Sequence, residues 1–393
     1  MKVAVVAEFY PRAHDPVLGV WAHRQALAAR DAGADVRVLV LHRPVPPRAT
    51  ARRDLARAAR RLAAQPRHAV LDGLDVEYVP FLSPPRPRSY GSWGAWAAPT
   101  LAVALRRLRR RFAFDVVHAH NAVPAADAVL RSRLDAPLVV SVHGGDVYFT
   151  APRYPAGRAA VGRALVRAAQ VLANSEGIEG ACRALGATRT RVVRLGTDVP
   201  ADGRPRRSEP ALVTVGHLVA RKRHGDVLRA LWLLRDRHPD LRYVVIGDGP
   251  ERPALTRLAA ELGVADRVEF AGQLEHGAAL ERARSCSVFV MPSIDEAFGV
   301  AYVEAMAAGV PAIGARGEPG PQEIARAGEG LRLVPPGDVE ALAAEVHALL
   351  DEPAWLQDLG DRARATVQRA FTWEQCGVAT VAAYEDALRG AAR

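Results

Sequence analysis

The chain has 393 residues, 49% hydrophobic and 24% charged, the balance of an ordinary globular protein and enough length for two domains with buried cores. No run is long and apolar enough to span a bilayer, and Met1–Ala7 is too short before Glu8 for a secretory signal; it reads as a first buried strand. Cys182, Cys286 and Cys376 are odd in number and scattered, which argues against a disulfide framework or a thiolate zinc site and fits a reducing cytoplasm.

Charge is uneven. Residues 1–200 carry 30 basic against 15 acidic side chains, a net of +15, whereas residues 201–393 carry 23 against 28, a net of −5. Arginines cluster at Arg52, Arg53, Arg57, Arg60, Arg61 and Arg67, and again at Arg106, Arg107, Arg109, Arg110 and Arg111, with leucines and alanines at helical spacing. Solvated helix faces are the plain explanation, and an anionic surface or acceptor is the functional one. Basic stretches interleaved with aromatics are missing, so nucleic acid is not an expected partner.

In chain order, strands are expected at Lys2–Ala7, Asp35–Leu41, Val76–Pro80, Val116–His120 and Leu138–Val142, with a helix over Trp21–Ala32 closed by Gly33. Residues Leu82–Pro99 read as a loop leading to a helix that ends at Arg111. Strands alternating with helices imply a doubly wound parallel sheet, with ligands at the C-terminal ends of its strands. Two residues lie there: Gly19, before the first helix, could bring backbone close to a phosphate or simply make a turn. His143 follows an apolar strand and precedes Gly144-Gly145, which puts its ring at the rim of the sheet. His118 and His120 alternate along their strand, so at most one side of that strand faces a ligand.

Asp202–Ser208 has linker composition, and a new strand begins at Leu212. The most informative stretch is Ser285–Ile324. Val288–Val290 is a short strand ending at Pro292-Ser293, Val310–Ile313 is a second one limited to an edge, and a helix from near Gly299 to Ala308 lies between them, stopped by Gly309. A strand, a glycine-bearing turn and a helix start present backbone N–H groups that suit a phosphate. Glu304, charged among Ala301, Val303, Ala305, Met306 and Ala308, needs a polar partner. Glu296 precedes the helix, where a first-turn acid or a ligand contact are both open. The chain has two lysines, Lys2 and Lys222, against fifty-one arginines. A lysine between Arg221 and Arg223 therefore points to a site wanting a compact ammonium, as a phosphate does.

These blocks resemble glycosyltransferase family 4, retaining enzymes of the GT-B fold. The likeness runs through Val215–Leu218 with Lys222, Ile246–Pro250, Leu262–Val264, Val268–Gly272, and Pro292–Pro311. The resemblance implies two Rossmann-like, doubly wound parallel-sheet domains facing a cleft. The N-terminal acceptor domain would be residues 1–200 and the C-terminal donor domain residues 201–393, whose last helix could cross back. It implies that Lys222 and the Phe298-Gly299 turn hold a donor diphosphate, with His217 standing where the family has an arginine. Glu296 would hold donor-sugar hydroxyls, Glu304 the ribose, and the main chain near Leu274 the base. His143 would act in catalysis at the donor and Gly19 near its phosphates. The reaction implied moves a sugar from a nucleoside-diphosphate sugar, UDP- or GDP-linked, to an acceptor hydroxyl in cell-envelope or exopolysaccharide synthesis. No Asp-x-Asp occurs, so neither a metal nor a separate cofactor is expected. The acceptor would be a glycan or lipid-linked, and peripheral contact with the inner face of an anionic membrane is the further expectation. Another GT-B enzyme, such as a sugar-nucleotide epimerase, and a non-catalytic sugar-nucleotide-binding partner are the alternatives.

Overall fold

The computed structural model describes residues 1–45, 60, 63–85, 89, 91–201 and 210–391. The chain divides into two units, Met1–Leu195 with Trp373–Arg393, and Gly196–Thr372. The first unit ends at Leu195 and the second begins at Gly196, and the C-terminal helix Trp373–Ala391 belongs to the first unit. The linker expected at 202–208 lies outside the described residues, as do Arg52, Arg53, Arg57 and Arg61.

The first unit is built on an eight-stranded sheet: β1 (Lys2–Ala7), β2 (Asp35–His42), β3 (His68–Leu71), β4 (Leu74–Pro80), β5 (Val116–His120), β6 (Leu138–Val142), β7 (Gln170–Ala173) and β8 (Thr190–Val192). The order is β3-β4-β2-β1-β5-β6-β7-β8, and β3 pairs antiparallel to β4 while the other pairs are parallel. That hairpin closes on Asp72-Gly73, both at positive φ (47° and 81°), the geometry that two-residue hairpin loops favour. The crossovers include α1 (Val20–Asp31), α2 (Trp93–Arg111), α3 (Asp127–Arg131), α4 (Pro155–Arg167) and α5 (Glu176–Ala184). Val3, Val5, Val36, Val38 and Val76 form a core with Ala22 and Ala26 of α1 and with Ala383, Tyr384 and Ala387 of the C-terminal helix. Strands covered on both faces read as unbroken apolar runs, which is why β1, β2 and β6 stand out in the sequence.

The second unit has six parallel strands, β9 (Ala211–Val215), β10 (Arg242–Ile246), β11 (Val268–Gly272), β12 (Val288–Met291), β13 (Ala312–Ala315) and β14 (Leu331–Val334). Their order is β11-β10-β9-β12-β13-β14. Its helices are α6 (His224–Leu233), α7 (Arg252–Glu261), α8 (His276–Arg284), α9 (Val300–Ala307), α10 (Pro319–Ala327), α11 (Val339–Asp351) and α12 (Pro353–Ala370). In both sheets the chain winds outward one way and then the other. The reversal falls between β1 and β5 in the first unit and between β9 and β12 in the second. Diverging crossovers open a crevice at the C-terminal ends of the strands at such a point, so the topology marks the loops after Val215 and Met291.

Two sequence expectations are corrected. Helix α2 starts at Trp93 and contains Pro99, where a loop was expected to run to Pro99. The buried stripe of Trp93, Ala97, Ala98, Leu101, Leu105 and Leu108 outweighs the roughly 3 kcal/mol cost of an interior proline. Strand β13 is flanked by β12 and β14 and is not at an edge. Pro311 stands just before its first residue, so its missing N–H costs no ladder bond, and its carbonyl still accepts from Phe289 N–H at 2.9 Å. Among the described residues no helix is long and apolar enough to cross a membrane. All three cysteines are buried and free.

Candidate active site

The loop after β9 carries His217 to Lys222. It is braced by the Gly247–Pro250 turn: Leu218 N–H donates to the Asp248 carbonyl, and Glu251 N–H to the Leu218 carbonyl, each at 3.0 Å. The loop ends in a single 3-10 turn, Ala220–Lys222. The Arg221 carbonyl accepts from Ile294 N–H at 2.9 Å, which ties this turn to the loop after β12 across the sheet's point of reversal. Lys222 Nζ lies 2.6 Å from Glu296 Oε2 and 3.2 Å from Met291 Sδ. The two side chains are only 11% and 9% exposed, so this is a nearly dry ion pair.

Glu296 Oε2 also accepts from Ser293 Oγ at 2.9 Å, and Arg221 Nη1 stands 3.6 Å from the same oxygen. Burial would push the Glu296 carboxyl up, but the charges of Lys222 and Arg221 and the hydrogen bonds of Lys222 and Ser293 prevail and hold it below the usual range. Its backbone is fixed as well. Glu296 N–H donates to Glu318 Oε2 at 2.9 Å, and its carbonyl accepts from Gly320 N–H at 3.0 Å. Lys222, Ser293 and Glu296 thus form one polar cluster, with Arg221 and Glu318 at its edge.

Gly299 caps the N-terminus of α9 at φ 81°. A Cβ there would come within 2.5 Å of the Tyr302 ring, so the turn requires glycine. Phe298 is buried with its ring 5.8 Å from that of Phe371, whereas Gly299 beside it is half-buried. Glu304, on α9, faces His276 Nε2 at 3.6 Å; the carboxylate among alanines meets its polar neighbour on α8. Leu274 is half-buried between β11 and α8, and His217 is exposed. Lys222 and Glu296 are the predicted residues in direct contact.

In the first unit Gly19 is the N-cap of α1 at φ 67°. A Cβ on it would lie 2.2 Å from the Phe9 carbonyl, so packing alone dictates glycine there. His143 follows β6, and Trp21 from the first turn of α1 packs against it with centroids 6.2 Å apart. The ring sits at the end of the sheet, but its nitrogens do not point outward. Nε2 is 3.0 Å from His120 Nδ1, the two rings are stacked at 5.2 Å, and His143 Nδ1 is buried without a hydrogen bond. Burial lowers His143 to about 4 and His120 well below its ordinary value, so the pair is neutral at neutral pH.

The His120 partnership was missed, although β5 register places His120 beside Ser141, two residues before His143 and so on the same side of the neighbouring strand. His118 lies on the same face of β5, its ring centroid 4.5 Å from that of His120, and its nitrogens meet Tyr384 Oη at 2.7 Å and Ser141 Oγ at 2.8 Å. Asp146 was also missed. Its carboxylate accepts from Ala122 and Val123 N–H at 2.8 and 3.2 Å. Burial raises it to about 6 against those two bonds, with Glu8 adding to the rise. Among the described residues no group of three or more His, Cys, Asp or Glu side chains is arranged to hold a metal ion.

Two family models match in succession: Glycosyltransferase Family 4 over residues 18–201 and Glycosyl transferases group 1 over residues 199–366. Glycogen synthase of Mycobacterium tuberculosis is 31% identical over 70% of this chain and 70% of its own. The putative teichuronic acid biosynthesis glycosyltransferase TuaC of Bacillus subtilis is 27% identical over 94% of this chain and 95% of its own. The chain spans only 23% and 48% of the length of two further curated relatives, which are 34% and 35% identical. The structure of Anabaena HepE in complex with UDP-glucose matches with a TM-score of 0.70 at 18% identity, over 97% of this chain and 98% of that one. The fold is GT-B, two parallel-sheet α/β domains.

Proposed function

Since the chain belongs to the family 4 and group 1 glycosyltransferases, we propose that it transfers a sugar, with retention, from a UDP- or GDP-linked sugar to a hydroxyl of an envelope or exopolysaccharide glycan. The observation that carries this reading is the buried Lys222–Glu296 pair at the sheet's point of reversal, beside the Gly299 start of α9. A departing diphosphate needs positive charge close by, and the Lys222 ammonium together with helix-end N–H groups supplies it.

In this reading Lys222 Nζ exchanges its carboxylate partner for diphosphate oxygens, while the Phe298-Gly299 main chain offers N–H donors to the same group. Glu296, released from Lys222 but still held by Ser293 and by Glu318 through its backbone, takes the hydroxyls of the donor sugar. Glu304 takes the ribose hydroxyls in place of His276, and the main chain at Leu274 takes the base. His217 lies on the same loop as Lys222. In the first unit Gly19 and His143 lie at the C-terminal edge of the sheet, where that unit takes ligand. His143, neutral and bonded to His120, serves there by position and not by donating a proton. Retention in this reading follows a front-face course in which the leaving phosphate helps accept the proton of the incoming hydroxyl.

TuaC by its name belongs to teichuronic acid synthesis, and HepE holds UDP-glucose; both support an envelope glycan and a nucleotide-sugar donor. The test is thermal unfolding against a panel of UDP-, GDP-, ADP- and TDP-sugars, since a ligand at 100 times its Kd stabilises by about 2.7 kcal/mol. It is followed by release or transfer of labelled sugar from the donor that stabilises. Binding without transfer or slow hydrolysis, or isomerisation of the donor sugar, would replace the reading.

A further inference from the structure

Beside Lys222 lies a second cation that the pair does not use up. Arg221 Nη1 is 3.6 Å from Glu296 Oε2, too far for a hydrogen bond, and that oxygen is already taken by Lys222 and Ser293. Among the described residues the Arg221 guanidinium makes no hydrogen bond, and its side chain is 45% exposed. All five of its N–H donors therefore remain available. Its backbone is not loose, because the Arg221 carbonyl is bonded to Ile294 N–H.

The neighbouring cation is spent elsewhere. Arg223 sits at φ 56° as the N-cap of α6, and its Nε donates to Asp226 Oδ2 at 2.5 Å. The left-handed residue turns the chain, so that Arg221 and Lys222 address one place and Arg223 another. A planar fork with open donors, beside an ammonium and a helix start, matches a group with several acceptor oxygens and more than one negative charge.

We propose that Arg221 is a second diphosphate-binding residue, forming with Lys222 a two-cation grip in which the arginine fork takes oxygens of one phosphate and the ammonium those of the other. This inference rests on the nucleoside-diphosphate reading of the same site. It predicts that the guanidinium contributes to phosphate affinity and not to recognition of the nucleoside.

The experiment is calorimetric titration of the full chain with UDP and GDP, and with uridine and guanosine at high concentration. Arg221→Ala should weaken binding of the diphosphate by about tenfold or more, the scale of hydrogen bonds to charged groups, and leave nucleoside binding unchanged. Arg221→Lys should fall between, and Arg223→Ala should bind as wild type does. Arg221 is exposed, so unchanged thermal unfolding of the free variants serves as the folding control. If wild type binds a diphosphate and Arg221→Ala binds it within twofold, or if Arg223→Ala accounts for the loss, the inference fails alone. If wild type binds neither diphosphate, the underlying reading fails with it.

Discussion

Replacing Lys222 by methionine keeps an unbranched apolar stem and removes the ammonium from the Glu296 carboxylate. Breaking a buried pair from one side leaves an uncompensated charge and costs about 3 to 5 kcal/mol. The lower end applies here, because Ser293 still donates to Glu296 and Arg221 remains 3.6 Å away. About 3 kcal/mol corresponds to a drop of roughly 6–12 °C in the transition of a unit of this size. The double change Lys222→Met with Glu296→Gln removes both charges and should recover most of that loss. Turnover should fall on the order of 10²-fold in the single variant and stay down in the double one. The pH dependence has a definite sign. In wild type the Glu296 pKa is depressed, so its contribution is present above the unfolded carboxyl value of roughly 4.3 and is lost as pH falls through the lower folded value. Without Lys222, burial opposes ionisation, and the variant's deficit should narrow as the pH is taken down from 7 toward 5. Thermal unfolding at several pH values and assay of the same samples make the comparison. A double variant no more stable than Lys222→Met, or a deficit that does not change with pH, would refute the idea that the pair's charges are coupled through a dry contact.

Glu304→Ala should weaken binding of UDP or GDP while leaving a ribose-free pyrophosphate unaffected, because its carboxylate faces α8 and not the Lys222 loop; equal nucleotide affinity for variant and wild type removes the ribose assignment. Activity should survive EDTA, since Lys222 and the start of α9 supply the positive charge; complete loss restored by Mg2+ or Mn2+ would contradict that. The first unit, with its excess of arginine, should cosediment with vesicles containing phosphatidylglycerol, each exposed arginine adding up to about 1 kcal/mol near such a surface. Binding should fade as salt rises, with screening over roughly 8–10 Å at physiological ionic strength. Arg107 and Arg111 are paired to Glu77, and Arg106 and Arg109 are bonded to the Ser132 and Asp135 carbonyls, so Arg110 is the residue of that helix to replace first; equal binding to neutral vesicles would return the arginines to ordinary solvated surface.

Much of this architecture could be read from the chain because parallel strands buried on both faces leave apolar runs, and because one of only two lysines in an arginine-rich sequence carries information that an arginine would not. Glu296 could be placed before its helix from Gly299 and the alanine-rich stretch that follows. What could not be read depends on directions that no local pattern encodes. Arg221, Lys222 and Arg223 are three cations in a row, and only the 3-10 turn and the left-handed Arg223 decide that the first two share a target while the third pairs with Asp226. The His120–His143 contact needed the register of β5 against β6, a long-range fact. Pro99 inside α2 needed the weight of a buried apolar stripe set against one missing hydrogen bond. In each instance the residue types were informative about chemistry, and the fold supplied orientation. At the Lys222 loop that orientation decides the chemistry, because the same three side chains turned differently would leave Glu296 buried with one cation and no open donors beside it.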